Sequence, residues 1–208
     1  YEGKAGDNLV LTIDIDFQKE IEQIATDFLN SNVDSYNDRI YIVASDPNTG
    51  EILGMTGKQR STSNEIVDDA LGVINSSYGM GSAVKGAMVL TGYMSGVISA
   101  DNNVLVDEPL QFQGSNPKKS VFNPTIGNQV AINDIEALAR SSNVYMIKLA
   151  MLMGGQSTYE SGGTLNISPD LIDELRSYFA QFGLGVKTGI DLPNEGSGLT
   201  GFSQAAVN

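Results

Sequence analysis

The chain has 208 residues, with 25 acidic and 12 basic side chains and a net charge of -13. That length allows one domain with a substantial core, and the acidic surplus argues against a surface that tracks the phosphates of nucleic acid. There is no His and no Cys, which excludes a Ser-His-Asp triad, a thiol nucleophile and nearly every zinc site; acyl-transfer chemistry would need Lys, Tyr or a carboxylate as its base.

No apolar run approaches the roughly 18 residues of a membrane span, and no charged-then-apolar leader opens the chain. Both ends, Tyr1 and the Asn208 that follows Gly-Phe-Ser-Gln, read as cuts, so the chain is taken as a soluble fragment of a longer protein. The lack of Cys leaves the compartment open.

Asn8 to Asp14 alternates like a short strand, and Asp16 reads as the N-cap of a helix with Phe17, Ile21, Ile24 and Phe28 on one face. Arg39–Ser45 and Glu51–Gly57 flank Asp46-Pro47-Asn48-Thr49-Gly50, a turn-rich link that predicts a β-hairpin over about 39–57. Lys58 to Val73 is polar and irregular. From Ser82 to Tyr93 the chain is apolar almost all round, as in a buried helix. Asp101 to Gly127, rich in Asn, Pro, Gly and Ser, reads as a long loop. Asn133 or Asp134 can cap a helix to about Arg140, and a second helix runs from Val144 to Met153 and stops at Gly154-Gly155. Ser168-Pro169 opens a third, with Leu171, Ile172, Leu175, Phe179 and Phe182 as its apolar set and Gly183 as its stop. Strands first and helices after predict an α+β fold.

Ser82 and Lys85 lie three apart at the start of a helix, so their side chains project from one face and can meet. Lys85 is the only charge between Ser82 and Gly96, and burial of an ammonium lowers its pKa. Moving a lysine from about 10.4 to near 7 takes roughly 4 to 5 kcal/mol, within reach of burial. Neutral Lys85 could then take the Ser82 proton, and the free backbone N–H of Ser82 could help hold an oxyanion. The plainer alternative is a capped, buried helix with a snorkelling lysine. Ser115 and Lys118 repeat the spacing, but Pro117 argues against a helix that would align them.

Ser141 and Asn143 form a Ser-x-Asn, a spacing that also occurs at Ser35 and Asn37. The later pair reads either as a helix junction with side-chain caps or as a site in which Ser141 relays protons while Asn143 bonds Lys85 and a substrate amide. Lys187-Thr188-Gly189 sits in a Gly-rich connector before Pro193 and reads as loop.

Ser-x-x-Lys, Ser-x-Asn and Lys-Thr-Gly together form a known motif set of penicillin-binding proteins and β-lactamases. Asn8-Leu-Val-Leu-Thr-Ile-Asp, Ala44-Ser-Asp-Pro-Asn-Thr-Gly-Glu-Ile-Leu, Gly81-Ser-Ala-Val-Lys, Ala139-Arg-Ser-Ser-Asn-Val-Tyr-Met and Gly185-Val-Lys-Thr-Gly-Ile-Asp-Leu-Pro-Asn-Glu resemble, in order, the landmarks of class B penicillin-binding transpeptidase domains. The style of Tyr78-Gly-Met-Gly-Ser is similar to elongation-type enzymes of Gram-positive bacteria. Met80 departs from the Pro that many members carry, and the stretch resembling Gly185–Glu195 precedes the true Lys-Thr-Gly strand of the family, which comes later.

The resemblance implies a serine β-lactamase/D,D-peptidase-like transpeptidase fold, an antiparallel sheet with a helical subdomain over about 82–185, and residues 1–208 as a partial domain, incomplete at its C-terminal end. It implies a D-Ala-D-Ala transpeptidase in which Ser82, Lys85, Ser141 and Asn143 are catalytic and Ser82 and Asn143 touch substrate, with no metal or organic cofactor. Peptidoglycan stem peptides, β-lactams and cell-wall elongation proteins are the implied partners. The parent would sit on the extracellular face of the cell membrane, held by an N-terminal anchor, and this segment alone would not turn over. A serine β-lactamase or a non-catalytic β-lactam sensor are the alternatives on the same fold; no Glu-x-x-Leu-Asn, the pattern that places a deacylating water in class A β-lactamases, occurs here.

Overall fold

The computed structural model describes residues 3, 6–34, 36–125 and 127–199. Tyr1 and the Gly201–Asn208 stretch, which carry the reading of cut ends, lie outside the described residues. The described residues fall into two compact units, Tyr1–Ser76 with Ile190–Gly196 and Ser77–Gly189 with Ser197–Asn208.

In the first unit Asp14, extended at φ -80° and ψ 115°, caps helix α1 (Ile15–Ser31) by accepting from the N–H groups of Asp16 and Phe17. The cap is therefore Asp14 and not Asp16, which lies in the first turn; the chain leaves the extended region two residues earlier than the apolar spacing suggests. The alternation over Asn8–Asp14 forms no strand, and Leu9 and Val10 are exposed. Among the described residues two hydrogen bonds tie this stretch to the sheet, from Thr12 Oγ1 to Ile52 O at 2.6 Å and from Asp14 N to Leu53 O at 2.9 Å. The buried row of α1 is Ile21, Ala25 and Leu29, an i, i+4, i+8 set; Phe17, Ile24 and Phe28 flank it and stay exposed.

Strands β1 (Arg39–Ser45), β2 (Ile52–Arg60) and β3 (Ile66–Asp68) form an antiparallel sheet in that order. The hairpin expected over 39–57 is present and longer, because Arg39 pairs with Gln59 and β3 pairs with the end of β2. Polar Lys58 fits inside because its ammonium pairs with Asp68 and lies 3.7 Å from Glu22 on α1. A short helix α2 (Gly72–Asn75) completes this unit.

The second unit is mainly helical. A single 3-10 turn, Gly81–Val84, runs into α3 (Lys85–Met94), and β4 (Leu105–Asp107) pairs antiparallel with β5 (Val130–Ile132) inside the region read as loop. Helices α4 (Asp134–Ala139), α5 (Asn143–Met153) and α6 (Leu171–Ala180) follow. Asn133 and Glu136 form a reciprocal capping box at the start of α4. Ser168-Pro169 precedes α6 rather than opening it, and α6 stops before Phe182.

The core of this unit joins Met88 and Val89 of α3 to Ile98, Ile132, Ala137, Tyr145, Met146 and Leu149. Helix α3 is less enclosed than its composition suggests, since Leu90 and Met94 are exposed. Gly92 lets α5 come close: a Cβ there would meet Leu149 and Ile98 atoms at 3.1 Å. The buried Tyr145 hydroxyl donates to Asn103 O at 2.5 Å, and Tyr93 donates to Asp134 at 2.8 Å, so the polar tips inside this core are satisfied. Burial first, with the Asp134 charge adding to it, pushes the Tyr145 phenol far above its usual range, which keeps it a donor. No described helix is long and apolar enough to cross a membrane.

Candidate active site

Gly81 has φ +54°, a left-handed conformation that costs glycine little, and it turns the chain into the 3-10 segment that carries Ser82. Side chains three apart eclipse in a 3-10 turn, so Ser82 and Lys85 share a side. Ser82 is exposed, whereas Lys85, at the first position of α3, is only 9% exposed.

Lys85 reaches across to the α4–α5 junction: its Nζ donates to Ser141 O at 2.6 Å and to Ser141 Oγ at 2.9 Å. Among the described residues no hydrogen bond joins it to Ser82 or to Asn143, so the partner expected at Asn143 is Ser141 instead. Burial pushes the Lys85 pKa down from 10.5; no carboxylate forms an ion pair with it among the described residues.

Ser141 has φ +55°, a conformation few non-glycine residues adopt. It is held from both sides: its N–H bonds Leu138 O at 3.1 Å, and the next N–H, of Ser142, bonds Ala137 O at 2.8 Å. Ser142 caps α5 by accepting from Tyr145 N–H at 3.0 Å, and exposed Asn143 is the first residue of that helix. The junction is thus capped by side chains, and it meets Lys85 through Ser141 rather than Asn143.

Asn143 opens onto a cleft of about 430 Å³ shared with Pro117, Lys118, Lys119, Met146 and Ile147. Lys118 is locked to Leu110 by two backbone hydrogen bonds, and Ser115 Oγ bonds Phe112, so the second Ser-x-x-Lys pair forms no helix. Lys187-Thr188-Gly189 lies outside regular structure, as its context predicts. Two residues carry no signal in the sequence and prove central to the geometry: Ser142, fully buried, and Asp107, whose carboxylate accepts from it.

The model of the penicillin binding protein transpeptidase domain matches residues 40–207. The chain is 47% identical over 212 residues to penicillin-binding protein 2A of Bacillus subtilis (strain 168), covering 98% of this chain and 28% of that protein. It is 38% identical over 206 residues to penicillin-binding protein 2B of Streptococcus pneumoniae serotype 2 (strain D39), covering 95% of this chain and 30% of that one. The solved structure of penicillin-binding protein 2B from Streptococcus pneumoniae (strain 5204) matches with a TM-score of 0.84 at 36% identity, over 96% of this chain and 34% of that one. The chain therefore belongs to the penicillin-binding protein transpeptidase domain family, on the α+β fold its sequence predicts. It spans less than a third of the length of the two curated relatives and about a third of the solved chain.

Proposed function

We propose that the full-length protein is a peptidoglycan D,D-transpeptidase in which Ser82 is the acylated nucleophile, with residues 1–208 forming part of its transpeptidase domain. The observation that carries this reading is the nearly buried Lys85 amine, one turn from exposed Ser82 and hydrogen-bonded to Ser141 O and Oγ. A neutral amine has two N–H donors and one lone pair. With both donors engaged by Ser141, the lone pair is left for the Ser82 proton.

Ser82 Oγ attacks the carbonyl carbon of the penultimate D-Ala of a stem peptide as its proton passes to Lys85. The tetrahedral intermediate collapses, the C–N bond breaks, and the leaving D-Ala amine takes a proton from Lys85 through Ser141. An amine of a neighbouring strand then attacks the acyl-enzyme, and Ser82 recovers its proton. Asn143, which lines the cleft beside Met146 and Ile147, bonds the substrate amide. β-Lactams would acylate Ser82 in place of the stem peptide. The same reading puts the protein on the outer face of the cytoplasmic membrane, working with cell-wall elongation proteins.

The test is the reaction of the full-length protein with a fluorescent penicillin. A covalent adduct that persists for many minutes is the expected result. No adduct would contradict both a transpeptidase and a β-lactam sensor, and release within seconds would point to a β-lactamase instead.

A further inference from the structure

Asp107 ends β4 and is 1% exposed, yet among the described residues its carboxylate is hydrogen-bonded by neutral groups only. Lys148 of α5 is held by the neighbouring Glu108 at 2.6 Å. Ser120 Oγ donates to Oδ1 at 2.5 Å, Asn123 Nδ2 donates to the same oxygen at 3.2 Å and also to the Asp107 carbonyl, and Ser142 Oγ donates to Oδ2. Asn123 and Ser142 are themselves buried. An ionised group in such a place is costly unless every donor is aimed at it, and a short two-stranded ribbon does not require one.

What these donors have in common is the junction they surround. Ser142 Oγ accepts from Tyr145 N–H at 3.0 Å, so its single proton must go to Asp107. Ser142 N shares one rigid peptide plane with Ser141 O, the 2.6 Å acceptor of Lys85. On the other flank Arg140 lies 5.2 Å from the ring centroid of Phe122, in the segment that also supplies Ser120 and Asn123. Asp107 thus bonds Ser142 on one side of Ser141, and the segment whose Ser120 and Asn123 also bond it meets Arg140 on the other, around a residue in a left-handed backbone.

We infer that Asp107 is a positioning residue for acylation: through the Ser142 hydroxyl it fixes the Ser141–Ser142 peptide that aims the Lys85 amine and the α5 terminus that presents Asn143. The inference rests on the reading of Ser82 and Lys85 as nucleophile and base.

Asp107→Asn isolates the role. Asn123 Nδ2 needs an oxygen opposite it, so the new NH2 faces Ser142, whose oxygen then receives two donors and whose proton is left without its acceptor. In the full-length protein, stopped-flow labelling with a fluorescent penicillin should show the acylation rate constant at saturation falling about 100-fold, the scale of a small misplacement at a reacting centre. The fraction of molecules finally labelled should stay unchanged. Ser142→Ala removes the same hydrogen bond from the other side and should show the same loss, and the double variant should be no slower than the slower single variant. A folded single variant with a native rate constant overturns the inference, as does a lower labelled fraction at a native rate constant, which is the mark of lost stability alone. Losses that multiply in the double variant overturn it as well. Failure of the native protein to label would be a different result, against Ser82 as the nucleophile.

Discussion

Helices α1 and α5 each begin on a side-chain oxygen that receives backbone N–H groups, but their surroundings differ. Asp14 caps α1 in solvent, accepting from two N–H groups at 3.0 Å. Ser142 caps α5 in full burial, accepts from Tyr145 N–H and passes its own proton to Asp107, one residue from the acceptor of Lys85. The exposed cap supplies helix stability. In the proposed mechanism the buried cap also sets where the Lys85 amine points, because each of its bonds has one permitted direction.

The largest effect separating the two is expected at Lys85 itself. Lys85→Ala should lower the acylation rate of the full-length protein by about 1000-fold, within the usual range for loss of a general base, with the helical unit still folded by circular dichroism. Lys85→Arg should be as slow, since a guanidinium does not give up its proton. Next comes Ser142→Ala, with its loss of about 100-fold in rate and about 1 kcal/mol of cap stability in chemical denaturation.

The pH profile follows in size. Burial favours the neutral amine, so the folded protein loses the Lys85 proton at a lower pH than the unfolded chain. Acylation should rise about tenfold per pH unit below the folded pKa and level off below pH 10.5. Between the folded pKa and 10.5 the unfolded chain still holds a proton that the folded protein has lost, so over that window stability increases with pH. A profile still climbing at pH 10.5 would contradict a base depressed by burial. The smallest effect is Asp14→Ala: about 1 kcal/mol in denaturant unfolding and no change in acylation rate.

Much of this was legible along the chain. β1 falls where the turn-rich link after it predicts a hairpin strand, α4 starts on Asn133, one of the two caps its sequence offers, and Ser82, Lys85, Ser141 and Asn143 share one compact unit. The misses have physical causes. Lys58 reads as the start of a polar loop, but it continues β2 because Asp68 and Glu22 compensate its charge, and both are distant in sequence. Leu9 and Val10 alternate like a strand, yet a strand needs a partner that local pattern cannot supply. Asp107 is one carboxylate in a Pro- and Asn-rich stretch, and its role appears only when Ser120, Asn123 and Ser142 converge on it. For the same reason the spacing of Ser82 and Lys85 showed that they could meet, but not that the amine would be held by Ser141.

Ser82 is proposed to carry the acyl group, with Lys85, held by Ser141, activating it. The most direct test is to label the full-length protein with a penicillin, digest it and locate the adduct by mass spectrometry. The account predicts one adduct, on the Ser82 hydroxyl, missing from Lys85→Ala on the same timescale. An adduct on another residue, or native-rate labelling of Ser82 in Lys85→Ala, would contradict it.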